Sequence, residues 1–237
     1  MDNLSTQTEP MAIWANHLVV FDKSLSLTQN VVITQGRCAL NALVRRIDKL
    51  YTLLHEQPNL VDSYINREIP QVITEIFAHQ GVASSILFSG SPRFTGESAR
   101  AYKLRTERFE YVRDICDSEG VSRDILTNRS LRNKLIHMDE CIERAMRTPN
   151  TGWSIDSALA YRDQFQAPNG IKVGFCRTFI VAEEVLIHLG HEISIKQLRK
   201  EAQNTLSALF GDPPTAPPAL PAHSRQGHPP QPLQTSA

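Results

Sequence analysis

A mainly α-helical domain with a small C-terminal β-hairpin and a final helix is the fold class this sequence predicts. Three observations predict it. Apolar residues recur at steps of three and four over long stretches. β-prone runs are confined to a short region between 173 and 190. Eight of the fourteen prolines lie after Gly211, which sets a tail apart from the rest.

The chain has 237 residues, 41% apolar and 21% charged, enough for one sizeable core. No apolar run approaches the ~18 residues of a membrane span. Met1–Pro10 is polar and acidic, unlike a signal peptide. The expectation is a cytoplasmic protein with no membrane partner. The 25 basic and 25 acidic residues balance, so the chain lacks the general basic excess of a high-affinity duplex binder, and any nucleic-acid contact needs a local patch. Cys38, Cys116, Cys141 and Cys176 form no C-x-x-C pair and read as reduced, structural thiols.

Residues 1–10 are expected to be flexible and 11–210 to form the domain. A short apolar patch surrounds Trp14, Leu18, Val19 and Phe21. Val31 to Leu54 reads as a long helix, because Leu40, Leu43, Val44, Ile47, Leu50, Tyr51 and Leu54 form one stripe, with Arg45, Arg46, Asp48 and Lys49 on the other side. Pro58 ends it. A second helix is expected over Tyr64 to Gln80, with a break or start near Pro70 and a stop at Gly81, followed by a short apolar segment to Phe88. Residues 89–96, Ser-Gly-Ser-Pro-Arg-Phe-Thr-Gly, form a loop by composition. Residues 97–118 are helical again. Arg100, Lys103, Arg105, Arg108 and Arg113 make this the most basic segment; it reads as a solvated face, with a strip holding an RNA backbone as the alternative.

Gly120 precedes a helix of about 124–147. Beyond Gly152, Val173–Val181 and Val185–Leu189 suggest a hairpin closed by Gly190-His191, within about 173–190. Ser194-Ile195-Lys196-Gln197 matches a capping box and opens a last helix of about 194–210. Residues 211–237, rich in Pro, Ala, Gln, Ser and His, are expected to be disordered. Their PPALP and HPPQP stretches read as a spacer, with a polyproline-reading partner as the alternative.

On a wheel of about 100° per residue, the 124–147 helix puts Leu131, Leu135, Met138, Ile142, Ala145 and Met146 on a core stripe. Arg129, Asn133, His137, Glu140 and Arg144 fall opposite, and Arg132 lies on the flank. Arg132 has no carboxylate three or four residues away, where Asn128, Arg129, Leu135 and Ile136 stand. Its partner must come from outside the helix, as a distant acid or a phosphate.

The stretch Leu131-Arg132-Asn133-Lys134-Leu135-Ile136-His137 resembles the Arg-x(4–6)-His signature of HEPN domains. In that family a polar residue often follows the Arg, as Asn133 does here. Residues 128–140 are similar to those of an uncharacterised subgroup of bacterial HEPN-like proteins. The resemblance implies an all-helical bundle and a metal-independent endoribonuclease, in a defence or toxin-like context, with a composite site where two motif helices meet in a homodimer. It implies catalytic roles for His137 as acid/base, Arg132 as phosphate stabiliser and Asn133 as orienting group, with Arg129 and Lys134 as RNA-binding residues. No metal and no cofactor are implied. Where many toxin members carry Tyr, two residues after the His, stands Asp139. The alternative is a non-catalytic helical module using the same ridge for dimerisation or partner binding.

His188, His191 and Glu192 form an H-x-x-H-E cluster without zinc spacing and read as a surface loop. Trp153, Tyr161 and Phe165 are expected to pack the region after the motif helix against the bundle.

Overall fold

The computed structural model describes residues 25–56, 68–90, 92–128, 133, 138–149, 151–164 and 171–220. The N-terminal patch around Trp14, the stretch from Tyr64 to Arg67, Phe165 and residues 221–237 lie outside them. The described residues are mainly helical, with a small sheet region.

Helix α1 spans Leu27–Glu56 and buries every residue of the stripe read from sequence, Leu40 through Leu54. It begins four residues earlier than the stripe suggests, because Ser26-Leu27-Thr28-Gln29 is itself a capping box. The Gln29 amide donates to Ser26 Oγ at 3.3 Å, and the Ser26 amide donates to Gln29 Oε1 at 2.8 Å. Helix α2 spans Glu68–Leu87. Pro70 sits in its first turn, where a missing N–H costs little. Gly81 does not stop it. That glycine is buried inside α2, and its conformational cost of about 1 kcal/mol is offset by burial of Ala83, Ser84 and Leu87 one turn further on.

The two helices run antiparallel. Arg46 bonds Glu75 at 2.8 Å, Lys49 pairs with Glu68, and Gly36 meets Leu87. At the Gly36 crossing the axes approach closely, since a Cβ there would lie 2.6 Å from Leu87 Cγ. Helix α3, Ala99–Ser118, is capped by Ser98 and lies beside them. Helix α4 covers Met138–Met146. Helix α5, Ile195–Phe210, starts at Ser194, whose Oγ accepts from the Gln197 amide at 3.1 Å, and ends on Gly211 in the left-handed region.

The sheet region exceeds the single hairpin expected over 173–190. Strands β1 (Thr151–Ile155) and β3 (Lys172–Cys176) form a parallel pair. Strands β2 (Ala158–Leu159), β4 (Thr178–Ile180), β5 (Val185–His188) and β6 (His191–Ser194) form a second sheet in that order. The run 173–181 is broken at Arg177 (φ 50°), and the parallel chain beside it is broken opposite, at Asp156 (φ 53°). The two side chains form an ion pair. Both chains therefore bend together and pass from one sheet into the other. Residues 191–194 form a strand instead of closing a loop; Leu189 and Gly190, both at positive φ, make the tight turn that joins β5 to β6.

Ala158, Phe179, Leu186 and Ile193 stand in one cross-strand row and join the helical core. Leu159, Ile180 and Ile187 form a smaller buried cluster on the opposite face. Arg162 reaches over the sheet to Glu183 and Glu192, at 2.7 and 2.6 Å.

The segment after Gly211 has no helix or strand through residue 220, yet it is held where disorder was expected. Arg199 is 4% exposed and its guanidinium needs acceptors in the interior. Asp48 of α1 supplies two, at 2.7 and 3.2 Å, and Gln203 supplies one at 2.8 Å. The Thr215 carbonyl and Oγ1, at 3.0 and 3.2 Å, and the Ala216 carbonyl, at 3.3 Å, complete the set from the tail. Arg37 pairs with Asp212, and Leu220 packs on the core.

Gly36→Ala should destabilise the protein by about 1–3 kcal/mol despite alanine's better helix propensity, because overpacking dominates. In urea titrations of a double-mutant cycle, that penalty should vanish in the Leu87→Ala background. An unchanged midpoint for Gly36→Ala would refute the close crossing.

Candidate functional site

Of the residues singled out in the motif segment, Asn133 is described: it is helical and exposed. Arg129, Arg132, Lys134 and His137 lie outside the described residues. What the structure does give is the chain on either side of them.

On the approach, residues 124–127 form a hydrogen-bonded turn and not the first turn of the helix expected there. Its amides are taken by a side chain. Glu201 of α5, 1% exposed, accepts from the Ile125 and Leu126 amides at 3.0 and 2.8 Å and from Ser122 Oγ at 3.0 Å. Gln80 of α2 holds the other side, its Nε2 donating to the Ile125 and Asn128 carbonyls at 2.7 and 3.1 Å. Leu126 is fully buried between them. A carboxylate and an amide from two helices thus fix both polar edges of the turn and set where the chain leaves at Asn128.

Beyond the segment, α4 has the two faces read from the wheel. Glu140, Glu143 and Arg144 are exposed, as is Asn133, while Ile142 and Ala145 are half-buried. The latter two meet Trp153, Ile155, Cys176 and Leu189 with no room between them for a water molecule. This is a packing seam between α4 and the sheets. Trp153 fixes it by lying over Gly174, its cross-strand neighbour, where a Cβ would come within 2.7 Å of the indole ring. Trp153 thus packs the region after the motif helix as expected, through α4 and β3.

The basic segment of α3 is largely committed to the protein itself. Arg105 is 7% exposed, bonds Glu97 at 2.9 and 2.8 Å and the Ser89 carbonyl at 2.7 Å, and lies over the Phe94 ring at 4.2 Å. It clamps the 89–97 loop to α3. The charge-assisted bonds from Arg105 hold the Glu97 carboxyl down at about 2. Arg108 donates to the Ile86 carbonyl at 3.0 Å, Arg113 pairs with Asp114 at 2.9 Å and Lys103 with Glu107 at 3.8 Å. The segment is therefore not the solvated face expected: Arg105 is buried and Arg108 and Arg113 are half-buried, while Arg100 and Lys103 are exposed.

The His188, His191, Glu192 cluster is not a surface loop. His188 is fully buried, its ring 6.4 Å from that of Phe77 and its Nδ1 3.8 Å from Cys176 Sγ. The cause is strand alternation: His188 follows Leu186 on the face that packs against the helices. Glu192 is taken by Arg162, whose hydrogen bonds lower its pKa. Burial pushes the Cys176 thiol up to about 11 and raises that of Cys116, which leaves both protonated and unreactive. Among the described residues no group of three or more His, Cys, Asp or Glu is placed to hold a metal ion. No described helix is long and apolar enough to cross a membrane.

Sequence reasoning missed Glu201, Gln80 and Arg199. A charged residue inside an amphipathic pattern was the available signal, but it cannot distinguish a buried anchor from a solvated charge.

Compared with protein-family models, curated proteins and solved structures, the chain matches none of them.

Two measurements check the geometry. Glu201→Gln should cost about 1–3 kcal/mol and accelerate amide exchange at Ile125 and Leu126 at least tenfold; unchanged exchange would show that the carboxylate does not hold the turn. The Glu97 carboxyl should titrate near 2, against an ordinary 4.5. Because the folded value is the lower one, the Arg105 pair stabilises fully above 4.5 and loses that contribution as pH falls toward 2. Arg105→Gln should return the NMR midpoint toward the ordinary value.

Proposed function

We propose that this is a HEPN-like, RNA-associated protein of the cytoplasm, acting as a homodimer through its motif helices and cleaving RNA without metal or cofactor. The carrying observation is the Arg132-Asn133-x3-His137 pattern between two described parts of the protein. Asn133, Glu140 and Arg144 are exposed along a ridge opposite Ile142 and Ala145. A ridge of that kind is what a composite dimer site requires.

RNA carries its own nucleophile. The 2′-hydroxyl attacks the adjacent phosphorus, the bond to the 5′-oxygen breaks, and a 2′,3′-cyclic phosphate forms. His137 of one copy takes the 2′ proton and that of the other protonates the leaving 5′-oxygen. Arg132 meets the charge developing on the phosphoryl oxygens through paired N–H donors. Asn133 orients the substrate or the imidazole, and Arg129 and Lys134 hold flanking phosphates.

A second reading has its own observation. Glu140 and Glu143 are exposed on α4, and Asp139 stands two residues after the His. Carboxylates there repel phosphate, which favours a non-catalytic module that uses the ridge for dimerisation or partner binding.

Purified protein should cleave single-stranded RNA in EDTA, leaving cyclic phosphate ends. His137→Ala should lower the rate by about 10²–10⁴-fold, and Arg132→Ala by a similar factor, without loss of the dimer. Cleavage that persists in both variants would sink the catalytic reading. A dimer that binds RNA or protein but never cuts would establish the second.

A further inference from the structure

We infer that residues 213–217, Pro-Pro-Thr-Ala-Pro, are a preformed ligand for a polyproline-reading domain, held open by the body of this protein. The strap touches the body at several points along its length. Asp212 pairs with Arg37. Thr215 accepts from Gln203 Nε2 through its carbonyl, at 2.9 Å, and its Oγ1, at 2.8 Å, while its carbonyl also accepts from the buried Arg199. Pro218 is half-buried, and Leu220 packs on the core beyond it. Arg199 also donates to the Ala216 carbonyl at 3.3 Å. Four of residues 213–218 are prolines, whose φ is fixed at about −65°, which favours the extended polyproline II form.

Thr215 is exposed although bonded, and Pro213, Pro214, Ala216 and Pro217 are exposed on either side of it. These are two X-Pro dipeptides, Pro213-Pro214 and Ala216-Pro217, separated by the anchored Thr215. Domains that read P-x-x-P segments take such a ligand in an aromatic-lined groove, with affinity helped by its low ordering entropy. Here Arg37, Arg199 and Gln203 lower that entropy further. They fix the strap at Asp212, at the Thr215 and Ala216 carbonyls and at Thr215 Oγ1, and leave Pro214 and Pro217 exposed to a reading groove. The proline-rich stretches further along, through Pro221 and at Pro229-Pro230, have no anchor described and are the internal comparison.

The test measures binding of the full chain to a panel of recombinant SH3 and WW domains by fluorescence polarisation. At least one domain should bind, and Pro214→Ala with Pro217→Ala should weaken it at least tenfold. Pro229→Ala with Pro230→Ala should leave it unchanged. A synthetic peptide of residues 211–220 should bind the same domain about tenfold more weakly than the full chain, because it lacks the anchors. Asp212→Ala, a change at the surface anchor alone, should move affinity toward the peptide's value; Arg199→Met, read only if its circular dichroism matches that of the parent, should do the same. No binding across the panel overturns the inference. So does binding lost with Pro229 and Pro230 instead, or a free peptide that binds as tightly as the whole protein.

Discussion

The last helix carries a buried ion on each flank, and the rest of the structure hangs from that arrangement. Arg199 and Glu201 are two residues apart, so they point about 200° away from each other. Both are almost fully buried. Between them Leu198, Ala202 and Leu206 face the core. Arg199 gathers Asp48 of the first helix and the strap after Gly211; Glu201 gathers the turn at 122–126. A helix loaded in this way has one compatible orientation. Rotating it by one residue would leave a guanidinium or a carboxylate buried without its bonds, which costs about 3–5 kcal/mol. Well-packed apolar residues in both places could match the stability without imposing that orientation.

This constraint reaches the candidate site. The segment bearing Arg132 and His137 is reached through a turn whose amides are bound by Glu201 and whose carbonyls are bound by Gln80. It is left through a helix seated on Trp153. Neither support needs a charge exposed to a ligand. On α3, Lys103, Arg105 and Arg113 are held by Glu107, Glu97 and Asp114. In a chain of zero net charge, attraction for an anion would need a local excess, and Arg129, Arg132, Lys134 and His137 fall within nine residues that contain no acid.

What could be read from the sequence was local. The stripe of α1, the cap at Ser194 and the two faces of α4 each follow from residues within a few positions of one another. The misreadings all required a distant partner. Gly81 has the composition of a stop, but burial against α1 carries the helix through it. His188 has the look of a turn residue, but alternation behind Leu186 turns it inward onto Phe77. The parallel pairing of 151–159 with 172–180 leaves no signature, because its hydrogen bonds join segments about twenty residues apart. The candidate site residues were singled out by pattern, while Glu201 and Gln80, which hold the turn that precedes them, are ordinary polar residues until the fold brings them to it.

The strap shows the same limit from the other side. Composition alone describes residues 211–220 as unable to offset their ordering entropy, and for their own side chains that is correct: four prolines and two alanines bury little. The ordering is driven from elsewhere. Arg199 is already inside, and Asp48 and Gln203 do not satisfy all five of its donors. The remaining bonds fall to the Thr215 and Ala216 carbonyls and to Thr215 Oγ1. The strap is fixed because the interior needs its backbone, and Pro213, Pro214 and Pro217, which contribute nothing to that need, are left exposed.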